Sequence, residues 1–543
     1  MRNVWKFRAP FPGFQRTVGA CTLTALTLTG MALFALFPAA DHSPAAASAS
    51  HSHRTVHRSR SRAVSRGPKG PSRRQSTSDS ILKGVGKEDW YGLFFGSGPI
   101  GYASMRTRKT IFHGSPAVQV DSQTSTTVKL LGVEVSQQVS ETDLYTAHGD
   151  PISSDLMTSS SGHNSHVTAA FHPHEVTCLV GDGSDRLVRH VPIPAGVHLG
   201  SDDNYSVDPA HLRKGAHWSE WYFDPATLAV EKFSATVVGP QSVKVDGQKR
   251  ASWKVDGSSV IGDMTLFVNQ QGDMLRMDMP LGIYMVKESR AAARGAADYH
   301  PSADLAKTGA VASNVIIEKP RSVNSLELVM SGVPAGTKIP SGDGQVAVPE
   351  GGGKWRLTIH STSFSPGGTS GRAPIRIPES GPGADLASTA ELTAANPAVQ
   401  STARTVLAGE TDAQKAVALL HDWVNTHMQA RYDIGVLRSG TDILNDRVGV
   451  CRDYAVLYAS LARAAGIPTR ICSGLVYWHG QFYYHAWAES YVGKWARVDP
   501  TMPTEFVDAT HVTLARGDAR SMFRIVGLVG LVRIEVVKFG TGP

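Results

Sequence analysis

One cysteine, one histidine and one aspartate, in that order and each in its own local setting, constrain this chain more than any other feature. Gly449–Val450–Cys451–Arg452–Asp453–Tyr454–Ala455 is followed by His485–Ala486–Trp487–Ala488–Glu489 and then by Val498–Asp499–Pro500–Thr501, so the three chemical residues stand 34 and then 14 positions apart. Cys451 follows a loop with Gly440 and Gly449 and opens an apolar pattern of Ala455, Leu457, Tyr458, Leu461 and Ala464. That pattern predicts a helix that starts at the cysteine. The positive end of a helix dipole favours the reactive thiolate. His485 lies in a β-rich run, Phe482–Tyr483–Tyr484–His485–Ala486–Trp487, and Asp499 directly follows the next run, Lys494–Trp495–Ala496–Arg497–Val498. Neighbouring strands would set the imidazole beside the thiol and the carboxylate behind the imidazole, the order of nucleophile, base and orienter. Glu489 is the competing acid, because an even count from His485 puts it on the same strand face.

The match to a known pattern extends beyond three letters. Cys451–Arg452–Asp453–Tyr454–Ala455 and then Leu461–Ala462–Arg463–Ala464–Ala465–Gly466–Ile467–Pro468–Thr469–Arg470 reproduce a helix, a turn and an outgoing strand, and Thr441–Asp442–Ile443–Leu444 precedes them. In these residues the chain resembles the transglutaminase-like superfamily, a papain-related group of thiol enzymes, over about residues 395–510. The resemblance implies an α+β catalytic domain. It also implies Cys451 as nucleophile, His485 as general base and acid, and Asp499 as the group that orients His485. The oxyanion site would use the backbone N–H of Cys451, with Tyr432 as the second donor. No glycine- or acid-rich calcium loop is evident, so neither a metal nor any other cofactor is expected.

At 543 residues the chain is too long for one compact core. Its net charge of +7 is unevenly placed: twelve Lys or Arg and one acid, Asp41, fall within residues 1–74, and the remainder carries slightly more acids than bases. The basic character therefore belongs to the N-terminal segment and does not mark a nucleic-acid-binding enzyme. Four cysteines, Cys21, Cys178, Cys451 and Cys472, are too few for a disulfide framework and have no zinc-ribbon spacing. Cys472 alternates on an expected strand and is assigned to core packing.

Arg2, Lys6, Arg8 and Arg16 precede Val18–Phe37, a run without charge that is long enough to span a bilayer. Residues 1–40 are therefore expected to be a signal peptide or a membrane anchor, which gives membrane association through residues 18–37. The bulk of the chain would be exported to the cell envelope, membrane-anchored or secreted. Residues 41–80, rich in Ser, Arg, His, Pro and Ala, are expected to form a disordered basic linker.

Residues 85–290 read as a β-rich domain, a large antiparallel sheet or half-barrel. Alternation recurs at Ala117–Val118–Gln119–Val120–Asp121, Val133–Glu134–Val135–Ser136 and Thr265–Leu266–Phe267–Val268. Asp182–Gly183, Asp246–Gly247 and Asp256–Gly257 are expected turns. Gly96–Ser97–Gly98–Pro99–Ile100–Gly101 fits the dinucleotide pattern, but strand-like alternation follows it where a helix is required, so it is set aside. His163, His166, His172, His174 and Cys178 fit no metal-site spacing. Residues 291–390 are expected to hold a linker and a small β domain, and 511–543 a C-terminal β extension. Before the cysteine, Thr411 or Asp412 caps a helix whose inner face is Val417, Leu420, Val424 and His427 or Met428.

The expected whole is α+β: mostly antiparallel β domains, then a transglutaminase-like domain. It would be an exported thiol enzyme that acts on protein or peptide amide bonds through a thioacyl intermediate. Water would resolve that intermediate in a peptidase or amidase, and an amine in a crosslinking transferase. The alternative is a non-catalytic envelope interaction protein built on the β domains and a retained fold.

Overall fold

The computed structural model describes residues 85–542 apart from 182–185, 201–206, 260–261, 296–300, 302, 365–376 and 378–382. The expected segments at 1–40 and 41–80 and the Asp182–Gly183 turn lie outside the described residues. Among the described residues, no helix is long and apolar enough to cross a membrane.

Residues 88–288 form one antiparallel sheet of fourteen described strands, β1 (Glu88–Phe95) to β14 (Ile283–Glu288). Two meanders, β1 to β8 and β9 to β14, meet where β1 pairs with β14. The alternation is physical: β4 (Val133–Thr146) buries Val135, Gln137, Val139, Glu141, Asp143 and Tyr145 on one face and turns Glu134, Ser136, Gln138 and Ser140 outward. Asp246 and Gly247, with φ of 49° and 72°, make the two-residue turn between β10 (Ala229–Val245) and β11 (Gln248–Ser259). Asp256–Gly257, expected as a turn, instead lies inside β11. A Cβ at 257 would come within 2.7 Å of the Phe233 ring, so the glycine there makes room for an aromatic neighbour. The Gly96–Gly101 run leads into strand β2 (Gly98–Phe112).

Two short helices follow, α1 (Arg290–Gly295) and α2 (Leu305–Gly309), and then β15 (Val311–Ala312). A four-stranded sheet combines β16 (Val323–Ser331), β17 (Gln345–Gly351) and β18 (Lys354–His360) with β27 (Arg533–Thr541) from the tail, in the order β17-β18-β16-β27. The tail strand begins at Arg533, two residues later than its apolar run.

The C-terminal part packs α3 (Pro397–Leu407), α4 (Ala413–His427), α5 (Gly440–Asp446) and α6 (Cys451–Ala464) against β22 (Thr469–Trp478) and β23 (Gln481–Tyr491). Three minor pieces complete it. β19 (Thr362–Ser363) pairs with β25 (Phe506–Val507), β20 (Gln429–Ala430) runs parallel to β21 (Val448–Gly449), and β24 (Trp495–Val498) pairs with β23. Asp412 caps α4 by accepting from the Lys415 N–H. Val417, Leu420, Val424 and Met428 are buried, whereas His427 is exposed and stacks on Trp423. The central sheet runs β15-β23-β22-β26, where β26 is Val512–Gly517. It thus takes a strand from the segment before 320 and another from beyond 510, outside the boundaries of 395–510 read from the sequence. The outer strand fits because Gly474 lies at a register shift between β22 and β26, where a Cβ would come within 1.9 Å of the Val512 carbonyl oxygen.

Candidate active site

Helix α6 is buried on all sides from Cys451 to Arg463. Its apolar residues Val456, Leu457 and Leu461 each contribute about 1.5–3 kcal/mol by leaving water. Its buried charges are stable only because they are satisfied. Arg452 donates to the carbonyls of Ile434 (2.6 Å) and Val436 (2.8 Å), and Arg463 donates to those of Thr469 (2.7 Å) and Ala387 (2.6 Å). Asp453 accepts from the Val450 N–H at 2.9 Å and lies 3.4 Å from Arg438 Nε, which pins the start of the helix. Gly449 is required there, since a Cβ would lie 2.5 Å from that of Asp453. These contacts fix Cys451 as the first residue of α6.

His485 stands in β23 opposite Gly474 of β22. Its Nε2 donates to Asp499 Oδ2 at 2.8 Å, and the ring also hydrogen-bonds the Cys451 thiol. Asp499 follows β24, and its Oδ1 accepts from the Thr501 N–H (3.0 Å) and hydroxyl (2.7 Å). Helix α4 holds the backbone of this turn. His421 Nε2 lies 3.3 Å from the Asp499 carbonyl and 3.0 Å from that of Met502, and Asn425 donates to the Pro500 carbonyl at 3.0 Å. Cys451, His485 and Asp499 are therefore brought together. Cys451 is 1% exposed and the other two are fully buried, so the site is closed in this conformation.

Burial alone would push the His485 imidazole down. The Asp499 carboxylate and Cys451 outweigh it and hold the ring up at about 9. Asp499 feels the reverse balance. Burial raises it, but His485 and then His511 bring it well below the usual carboxylate range. The resting site thus favours an imidazolium beside the sulfur.

Glu489, the competing acid, does not reach the imidazole. Its carboxylate is held by Arg470 at 2.8 Å and Arg516 at 3.0 Å. Tyr432 is half-buried in the loop after β20, close to Tyr454 on the first turn of α6. The loop around it is clamped by the large sheet: Ser160 accepts from the Gly435 N–H at 2.8 Å, and Gln137 donates to the Gly435 carbonyl at 3.0 Å. Cys472 is a free, buried thiol on β22, which burial pushes up. The histidines of the large sheet disperse into separate pairs, His163 with Asp446 and His166 with Asp155.

His511 belongs to the site and was missed. Its Nε2 lies 3.1 Å from the same Asp499 Oδ2, and its Nδ1 faces Asp508, 3.2 Å from the carbonyl and 3.4 Å from Oδ2. Arg321 closes the far side of Asp508 at 2.6 Å. The signal was present as a repeat: Asp499–Pro500–Thr501 and Asp508–Ala509–Thr510 share one Asp-x-Thr turn. In both, Oδ1 accepts from the Thr N–H and hydroxyl. The ligand-type atoms of His485, Asp499 and His511 fall within 4.8 Å of one another. A metal there would have to displace both imidazole protons from Asp499, in a site closed to solvent.

A family model described as the transglutaminase-like superfamily matches residues 400–500. That stretch is a transglutaminase-like domain. An uncharacterised protein of Mycobacterium leprae is 31% identical over 104 residues, 18% of this chain and 37% of the relative, so the chain spans little more than a third of that relative's length. Among solved structures, a candidate cysteine protease from Cytophaga hutchinsonii is 15% identical, covering 40% of this chain and 86% of its own, with a TM-score of 0.25. A β-barrel-like protein of a domain of unknown function from Brucella abortus is 11% identical, covering 37% of this chain and 94% of its own, with a TM-score of 0.26. The transglutaminase-like match begins at α3 and ends just after Asp499. It therefore stops short of His511 and β26.

Proposed function

We propose that the transglutaminase-like domain is a thiol enzyme that opens amide bonds of proteins or peptides, with Cys451, His485 and Asp499 as its triad. The observation that carries this is the buried hydrogen-bonded series from the Cys451 thiol through His485 to Asp499, set at the start of a helix. The Cys451 sulfur attacks a peptide carbonyl or a Gln side-chain carbonyl, the C–N bond breaks, and the His485 imidazolium gives its proton to the departing amine. The acyl group remains on sulfur as a thioester. Water or a second amine then attacks it, and His485 takes the proton of that nucleophile. The carbonyl oxygen would be held by the Cys451 N–H, with Tyr432 as the second donor. Because the thiol is covered at rest, substrate entry needs the surrounding loops to move.

The four basic residues ahead of the uncharged run Val18–Phe37 support export to the cell envelope and association with its membrane. The decisive experiment incubates the purified chain, and Cys451→Ala, with a peptide library and a labelled primary amine. Mass spectrometry then reads cleavage, deamidation or amine incorporation. Cysteine-dependent products establish the activity and separate hydrolysis from transfer. Identical products from both proteins refute it.

A further inference from the structure

The Cys451–His485–Asp499 series does not end at Asp499. The same carboxylate oxygen, Oδ2, receives two imidazoles: His485 Nε2 at 2.8 Å and His511 Nε2 at 3.1 Å. His511 has acceptors at both ends, with Asp499 Oδ2 at Nε2 and the Asp508 carbonyl and Oδ2 at Nδ1. A neutral imidazole has one N–H and one lone pair, so it would turn that lone pair on an acceptor oxygen. Only the doubly protonated ring satisfies both ends. Asp499 is held ionised on its other oxygen by the two Thr501 donors. Asp508 is held ionised by Arg321 and by Thr510. Two other rings face His511. The Trp487 ring meets it edge to face at 5.2 Å, and the His485 ring lies 6.0 Å away. From α4, His421 meets Asp499 at its backbone carbonyl and turns Nδ1 to Asp422.

We propose that His511 is a positioning residue of the active site, a fixed second imidazolium that shares Asp499 with His485 and is itself anchored through Asp508 to Arg321. This rests on the thiol-enzyme function proposed above and adds to it. The sequence of charges outward from the sulfur's neighbour alternates: His485 cation, Asp499 anion, His511 cation, Asp508 anion, Arg321 cation. Two consequences follow. Asp499 is locked in orientation, since each of its oxygens has two donors. Its pull on the His485 proton is also divided, because a second cation sits on the same oxygen. A general acid that holds its proton too tightly donates it poorly to a leaving amine, so the second cation keeps His485 usable near neutral pH. The device draws on three separate parts of the chain: Arg321 before β16, Asp499 after β24, and Asp508 and His511 before β26.

Nitrogen-15 spectra of the full, histidine-labelled chain test this without a substrate. At pH 7 both ring nitrogens of His511 should carry protons; a neutral His511 at pH 7 overturns the proposal. His511→Gln retains one donor toward Asp499 but removes the charge, so the His485 titration midpoint should rise by roughly one pH unit. Asp508→Asn, which deprives His511 of its outer carboxylate, should move the His485 midpoint in the same direction. A purely structural role predicts lower melting temperatures with no upward movement of His485, and that result also overturns the proposal. In catalysis, His511→Gln should lower kcat by about tenfold with KM little changed. Catalytic inertness of the wild-type chain would count against the enzyme function, whereas the ring titrations would still decide the role of His511.

Discussion

Replacing Asp499 by Asn tests the heart of the site, because that carboxylate does two separable things. It orients His485 through a 2.8 Å hydrogen bond, and it supplies the negative charge that keeps the ring protonated. Asn retains the shape and loses the charge. The rise of His485 from 6.5 to about 9 corresponds to ~3 kcal/mol of preference for the charged ring, at about 1.4 kcal/mol per pH unit. Asp499 is the largest of the groups that raise it, and burial, which lowers it, is larger than any single one. Without Asp499, burial prevails and His485 becomes neutral at pH 7. The amide also presents a donor or an acceptor according to its flip, so the ring loses its fixed tautomer.

Two results are expected from Asp499→Asn. The alkaline limb of the pH–rate profile, set near 9 by loss of the His485 proton, should move down by two units or more. The rate at pH 7 should fall by about 10²–10⁴-fold, mainly in kcat. Iodoacetamide labelling of Cys451, located by peptide mass spectrometry, gives an independent reading that needs no substrate. The labelling rate at pH 7 should drop with the loss of the neighbouring cation. Glu489→Gln is the control. It leaves Arg470 and Arg516 with a weakened partner and should lower the melting temperature while the alkaline limb stays near 9. A limb that remains near 9 in Asp499→Asn, or moves only in Glu489→Gln, would refute the triad.

The same charges set the pH dependence of stability. His485 and His511 are raised in the folded state, so their contribution is complete below the ordinary 6.5 and disappears as pH rises through about 9 for His485. Asp499 and Asp508 are lowered, so theirs is complete above the ordinary 3.8 and fades as pH falls, through about 2 for Asp508. Calorimetry should therefore find the site-bearing part most stable between roughly pH 4 and 6.5; a maximum above pH 9 would contradict these assignments. Gly474→Ala places a methyl against the Val512 carbonyl and should separate β22 from β26, with a fall in melting temperature of 10 °C or more; an unchanged melting curve would refute the close approach. Asn425→Ala, which frees the Pro500 and Met502 carbonyls, should lower kcat several-fold with little change in melting temperature, and an unchanged kcat would show that α4 does not position the turn of Asp499.

Much of this was legible in the chain because it rests on short-range rules. The helix at Cys451 announces itself by apolar spacing and by the glycine before it, and the strands of the large sheet by strict alternation. Asp246–Gly247 is a turn because nothing but local twist decides it. Asp256–Gly257 has the same letters and lies inside a strand, because a ring 24 residues before Gly257 in sequence, that of Phe233, needs the space. The missing members of the site were lost in the same way. His511 looks like any polar residue at a strand entrance until Asp499 is seen to have a second unused lone pair. Arg321 lies 178 residues before Asp499 in the sequence, and no periodicity connects them. Sheet membership is hidden for a related reason. Composition marks where one kind of segment gives way to another, but it does not show which sheet a strand joins.

That joining has a consequence for what the catalytic unit is. The strand before Asp499 is tied to the small sheet through Arg497, buried and donating to the carbonyls of Gly344 (2.9 Å) and His360 (3.3 Å). The edge of the central sheet is covered by β15, and the tail leaves β26 to return as β27 in the small sheet. The Arg497 and β15 connections cross between the transglutaminase-like stretch and residues outside it, and Arg497 stands two residues before Asp499. A buried charge left without its partner is far costlier than a lost surface contact. Cutting the chain at 510 would remove His511 from Asp499 on one side, and starting it after 321 would remove Arg321 from Asp508 on the other. The surrounding β structure is therefore part of what holds the carboxylate behind His485, and the family-matched segment carries Cys451, His485 and Asp499 without His511, Asp508 and Arg321.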